Sequence, residues 1–317
     1  MQISRAVVWL VSFGLLAAGA RMACGQDYPN RSVRVITSGI GGGSDLVARL
    51  VAQGISGSLG QPVVVENRGS GVVASSVAQA AADGYTLLAS PGSLWLAPFL
   101  GKVTYDPLRD FAPISLTNRT PTVLAVHPVL PARSVKELIA LAKARPGALN
   151  YSSGGNGSTS HLAGELFKAM AGIDIVRIVY KTQVSADLLS GEVQLVFGSA
   201  GAVMPHAKSG RLRALAITSP QPSVLVPGLP TVAASGLPGF EIGTIFGFFA
   251  PAKTPEPVLT RLNQEIVRFI HTPDAKERLI KFGVEPVGSS PEELTAIMKS
   301  EMVRLGKVIK SAGITAD

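Results

Sequence analysis

The stretch Val33-Arg-Val-Ile-Thr-Ser-Gly-Ile-Gly-Gly-Gly-Ser-Asp45 decides the reading of this chain. A short apolar run breaks into four glycines within five residues and then restarts with helical spacing. It reads as strand, loop, helix. Glycines remove Cβ atoms where backbone must turn sharply or approach a ligand, and Ser44 or Asp45 can accept from the first free helical N–H groups. Those N–H groups and the helix dipole favour a negative ligand group. From this stretch alone, a plain strand-to-helix connection remains the other reading.

Outward from it, strand-like and helix-like segments alternate. Val33–Thr37, a helix from Ser44 to about Leu59, Pro62–Glu66, a helix from about Ala74 to Ala82 and Tyr85–Ala89 make a βαβαβ unit. In the first helix Leu46, Val47, Leu50, Val51 and Ile55 share a face. A parallel sheet covered by helices follows, with ligands expected in the loops beyond the carboxyl ends of its strands. Three such loops are rich in Gly and Ser: Ser38–Ser44, Asn67–Gly71 and Ser90–Ser93.

The pattern then repeats. Thr122–His127 reads as a strand leaving a first lobe, and Ser134-Val-Lys-Glu137 as a capping box opening a helix. Leu149–Ser152, a loop over residues 153–160 and a helix from His161 to Ala171 restate the strand-loop-helix logic. In this second loop the hydroxyls of Ser153, Ser158 and Thr159, the Asn156 amide and freed N–H groups are the groups needed to hold a carboxylate without a full opposite charge. Phe240–Pro251 reads as a strand returning to the first lobe, with three helices near Val258–Ile270, Ala275–Phe282 and Pro291–Ala312 completing it. Two lobes that both present Gly/Ser loops imply a cleft that closes by hinge motion.

At 317 residues, 46% hydrophobic and 16% charged, the chain is globular and long enough for two lobes. Sparse aromatics argue against a nucleic-acid stacking surface. Arg5 and the apolar run Ala6 to Ala18 read as a secretory signal over residues 1–25, with Ala23 and Gly25 favouring cleavage before Gln26 and Ala18 and Ala20 an earlier alternative. The run is too short to span a membrane. Cys24, the only cysteine, follows Arg21-Met-Ala where a lipidation site usually carries an aliphatic residue, so no lipid anchor is expected. Removing residues 1–25 takes the formal charge from +8 to +6, with the bases scattered, a field for anions rather than a nucleic-acid stripe.

Other chemistries are poorly served. The glycine loop lacks the third glycine of a dinucleotide fingerprint, although Glu66 sits where a ribose-binding acid could be, and no Walker lysine follows. His127, His161, His206 and His271 lack metal-ligand spacing. His161, without a nucleophile elbow, reads as a capping or packing residue rather than a base.

Over essentially the whole mature chain the sequence resembles substrate-binding receptors of the tripartite tricarboxylate transporter systems, the Bug family. The resemblance is carried by Gly42-Gly-Ser-Asp45, Leu59-Gly-Gln-Pro-Val-Val-Val-Glu-Asn-Arg68, Asp83-Gly-Tyr-Thr-Leu-Leu88, Asp110-Phe-Ala-Pro-Ile-Ser115, Tyr151-Ser-Ser-Gly-Gly-Asn-Gly-Ser158, Ser209-Gly-Arg-Leu-Arg-Ala-Leu-Ala216 and Gly236-Leu-Pro-Gly-Phe240, in order. It implies a periplasmic, two-lobed α/β binding protein of the type II, Venus-flytrap kind, each lobe a mainly parallel sheet flanked by helices. The lobes expected are 26–124 with 247–317, and 125–246. It implies a monomer without metal, cofactor or catalytic residue, delivering a small organic acid to membrane permease subunits. The ligand carboxylate would lie between the first loop and the Gly-Asn-Gly-Ser loop.

Mapped here, the site comprises Ser38, Gly39, Gly41, Gly42, Gly43 and Ser44, Ser90 and Ser93, and Ser153, Gly154, Asn156, Ser158 and Thr159. Thr182 and Ser199 join them from segments that depart from the family pattern. After Tyr180-Lys181 the chain is about two residues shorter than usual, and Gly198-Ser199 stands where an Asp commonly follows the strand, which disfavours an amino-acid ligand. A periplasmic sensor signalling to a membrane kinase, and a secreted enzyme using His161 as base, are the competing readings.

Overall fold

The computed structural model describes residues 28–41 and 43–316. The signal segment, Cys24 and Gly42 lie outside the described residues.

The opening unit forms as the alternation requires. β1 (Val33–Ser38), α1 (Gly43–Leu59), β2 (Val63–Arg68), α2 (Ser70–Ala78), β3 (Thr86–Pro91) and α3 (Ser93–Leu100) follow in order, and β1 lies parallel between β2 and β3. Val33, Val35 and Ile36 are buried in the sheet, and α1 lays Val47, Val51 and Ile55 on it. Each such side chain contributes roughly 1.5–3 kcal/mol on burial. That fixes where β1 ends and the glycine loop begins.

β4 (Phe111–Val126) is a single strand of 16 residues. The sequence shows only its ends, because Pro113 and Pro121 interrupt the pattern of a central strand. The register shifts near Pro113, where the donor is missing, and again between Leu116 and Asn118. Its first part pairs antiparallel with β9 (Gly243–Pro251), from Phe111 opposite Pro251 to Pro121 opposite Gly243. From Thr122 onward it pairs with β7 (Leu195–Ser199) on one edge, and from Val123 with β8 (Arg213–Ile217) on the other. One strand therefore belongs to both sheets.

The second sheet adds β5 (Asn150–Ser153), parallel to β7 and to β6 (Val176–Val179). Between its strands lie α4 (Val135–Ala144), α5 (Thr159–Ala171), α6 (Ala186–Ser190) and α7 (Ala200–Lys208). Strand order is β2-β1-β3-β9-β4 in the first sheet, and β4-β7-β5-β6 in the second. The parallel cores of both lobes are present, and the crossing strands run antiparallel to them, so both sheets are mixed. Ser134 caps α4 through the Glu137 N–H at 3.2 Å, while the Glu137 carboxylate takes the Arg133 N–H at 2.6 Å instead of that of Ser134. The chain returns along β9 to α8 (Glu256–Ile270), α9 (Pro273–Lys281), the two-residue β10 (Glu285–Pro286) on β4, and α10 (Pro291–Ser311). Here Ser290 and Glu293 complete a reciprocal capping box.

Candidate ligand cleft

The loop between β5 and α5 is the most completely built part of the cleft. Ser158 caps α5, its hydroxyl accepting from the His161 N–H at 3.3 Å, and Ser160 Oγ accepts from the Gly154 N–H at 2.9 Å. Gly157 has φ of +70° and a Cβ there would lie 2.7 Å from Leu100 Cδ1 on α3. The left-handed φ is what calls for glycine there, and the close approach to the end of the Leu100 side chain leaves little room for a larger residue. From behind, Arg177 on β6 fixes three points: Nε donates to Ser153 Oγ at 2.7 Å, Nη1 to Asn156 Oδ1 at 2.7 Å and Nη2 to the Gly154 carbonyl at 2.8 Å. The N–H groups of Thr159 and Ser160, in the first turn, have no acceptor within the helix. They and the helix dipole make this end of α5 electropositive.

It opens on a cavity of about 300 Å3. Ser158, Thr159 and Ser160 form one side, Thr120 and Thr122 of β4 and Thr244 of β9 another, and the segment Tyr180–Gln183 with Ser199 a third. Among the described residues Lys181 is the only lysine or arginine on this wall. Tyr180 donates its hydroxyl to Asp187 at 2.5 Å, a bond that raises the phenol pKa and keeps it neutral. Gln183 accepts from the Ser199 N–H at 2.7 Å and so fixes the start of α7. The Thr159 and Thr244 hydroxyls meet at 2.9 Å between α5 and β9.

A second cavity of about 250 Å3 adjoins the first, sharing Ser158, Thr159 and Thr244. Its wall is aliphatic apart from those residues, Ser93 and Glu301. Glu301 is 7% exposed and accepts from the Trp95 indole N–H at 2.9 Å. Burial raises its pKa, while the indole and Arg304 work in the other direction.

The first glycine loop is arranged differently. Gly39 and Gly41 have φ of +64° and +74°. The Gly41 N–H donates to Asp45 Oδ2 at 3.0 Å, Asn67 donates to Oδ1 at 2.9 Å, and Arg49 Nε lies 2.9 Å from Oδ1. Burial opposes ionisation of Asp45, but these three partners outweigh it and hold its pKa low. Asp45 thus has a helix-start role. Ser38, Gly39, Gly41, Gly43 and Ser44 line neither cavity.

Of the remaining expected residues, Ser93, Gly154, Ser158, Thr159, Thr182 and Ser199 line the two cavities. Ser153 and Asn156 stand behind the loop as Arg177 acceptors, and Ser90 donates to the neighbouring Pro91 carbonyl at 3.3 Å. Sequence reasoning missed Thr120, Thr122, Gln183, Thr244 and Arg177, none of which sits in a glycine-rich loop. Lys181 was in view only as a flanking residue. His161 is buried, its Nδ1 accepting from the Gly157 N–H at 3.3 Å, so it fastens the loop. Among the described residues no group of three His, Cys, Asp or Glu could hold a metal.

The family model for the tripartite tricarboxylate transporter family receptor matches residues 47–314. The chain belongs to this family. Among its relatives, protein BugT of Bordetella pertussis is 36% identical over 322 residues, covering 99% of each chain. Among solved structures, Rpa4515 of R. palustris with adipate is 35% identical with a TM-score of 0.71, covering 92% of this chain and all of that one. MatC of Rhodopseudomonas palustris with bound malate is 29% identical with a TM-score of 0.67, over 89% and 100%. As a receptor of the tripartite tricarboxylate transporter family, this chain is a two-domain solute-binding protein and not an enzyme, and the binding-protein architecture expected from its sequence is the one it has.

Proposed function

We infer that this receptor captures a small organic carboxylate in the periplasm and delivers it to the permease subunits of a tripartite tricarboxylate-type transporter. The observation that carries this is the α5 N-terminus, where Ser158, Thr159 and Ser160 line one cavity together with Lys181 and, among the described residues, no carboxylate lines it. Two relatives hold acids of this kind, adipate and malate. Ordered water bridging the hydroxyls to the acid can serve nearly as well as direct bonds, which suits a scaffold reused for different acids.

The mature chain starts at Gln26 after removal of its signal peptide, carries no lipid, and acts as a monomer. Its lobes are residues 26–124 with 247–317, and 125–246. Closure of these lobes brings the Ser38–Ser44 loop over a carboxylate held at Ser153–Thr159, with Thr182 and Ser199 at the side. The test is a thermal-shift screen of residues 26–317 against mono-, di- and tricarboxylates, amino acids and neutral analogues. An acid at a hundredfold excess over its dissociation constant adds about 2.7 kcal/mol to the native state. A shift with acids alone, the acid being recovered unchanged, is the expected result; a shift only with neutral or cationic solutes overturns the reading.

A further inference from the structure

The two cavities of the cleft differ in chemistry, and the difference selects among acids. The first has hydroxyls, the α5 N-terminus and Lys181 on its wall. The second is lined by Leu96 and Leu100 of α3, Leu162 of α5, Ile242, Ile245 and Leu305 of α10. Among the described residues its one ionisable residue is Glu301, and no lysine or arginine lines it. A Cβ on Gly92 would lie 3.5 Å from Glu301 Oε2, so the carboxylate reaches the wall directly beneath the β3–α3 turn. The bases near Glu301 are shared with Glu241. Arg304 pairs with Glu301 at 3.9 Å while donating to the Glu241 carbonyl, and Arg119 pairs with the Glu241 carboxylate at 2.8 Å.

The geometry points to a ligand with one carboxylate and an apolar body, an alkanoic or aryl acid, whose acid group lies in the hydroxyl-lined cavity and whose body fills the aliphatic one. The inference rests on the carboxylate reading above and narrows it. The shared wall of Ser158, Thr159 and Thr244 makes the two spaces continuous, so one molecule can occupy both. A second ligand carboxylate in the aliphatic cavity would lose its water among leucines and face Glu301, with no lysine or arginine on that wall to receive it. Glu301 is therefore a specificity-determining residue that excludes acids charged at both ends, while its acceptor oxygens tolerate a hydroxyl there.

Hexanoate and adipate test this as a matched pair, six carbons each, one ending in a methyl group and the other in a second carboxylate. Titration calorimetry at pH 7.5 on residues 26–317 should give hexanoate at least tenfold tighter than adipate. In Glu301→Gln adipate should gain and the ratio should fall. Leu162→Phe, which shortens the aliphatic cavity, should weaken hexanoate more than propanoate, and serves if the Glu301 variant does not fold. Adipate binding as tightly as hexanoate to the unmodified chain overturns the inference and leaves the carboxylate reading standing, as does propanoate binding without hexanoate binding. If propanoate, hexanoate and adipate all fail while hexanamide binds, the carboxylate reading falls with it.

Discussion

The β1–α1 and β5–α5 loops are built from the same residue types and differ in what already occupies their donors. In the first, the Gly41 N–H is committed to Asp45, a carboxylate inside the loop, and that carboxylate is itself balanced by Arg49 and Asn67. In the second, the clamp stands outside: Arg177 holds two side-chain oxygens and a carbonyl, and the residues at the start of α5, Ser158, Thr159 and Ser160, line the cavity. A glycine-rich strand-to-helix turn is thus only a frame. Whether it receives an anion depends on where the charge that organises it is placed.

Arg177→Ala attacks the better-built loop and should have the largest effect. Losing three charge-assisted bonds should weaken carboxylate binding about a hundredfold, ~2.7 kcal/mol, with the fold intact by circular dichroism. Unchanged affinity by calorimetry would mean the loop keeps its shape without the clamp. Gly43→Val probes whether the first loop joins the site on closure. An ideal Cβ there meets nothing within 4 Å, so the melting temperature of the free protein should hardly move. Binding should nonetheless weaken about tenfold, ~1.4 kcal/mol, as the branched side chain meets the ligand or the opposite lobe. Equal affinity in the variant would confine recognition to the second loop.

The smallest effect is expected at Asp45. Its pKa is lowered in the folded chain, so its contribution is present above the unfolded value near 3.9 and disappears as pH falls through the folded value. Asp45→Asn should cost about 1 kcal/mol of stability at pH 7. Denaturant unfolding should show wild type and variant converging below about pH 4. A difference independent of pH would place the effect in packing rather than charge.

The βαβαβ unit, both glycine loops and the three closing helices were legible because each rests on local periodicity and capping. β4 was not, since its two prolines hide its middle and its pairing depends on strands far along the chain, β9 among them. The same distinction divides the site. Ser158 and Thr159 announce themselves by standing at a helix start. Thr122 and Thr244 look like ordinary strand residues and acquire their role only because β4 and β9 run through the cleft. Arg177 was invisible for a related reason, since its three acceptors lie 21 to 24 positions earlier in the chain.

The uninterrupted β4 also sets the mechanics of the cleft. The switch of partners falls between Pro121, opposite Gly243, and Thr122, opposite Ser199, with no slack loop on β4 at the crossing. Rotating one sheet against the other therefore twists β4 itself, as in a leaf spring rather than a door hinge. Torque applied at either lobe is then transmitted to the other without backlash, so the angle between the lobes becomes an elastic gauge of what the cleft holds.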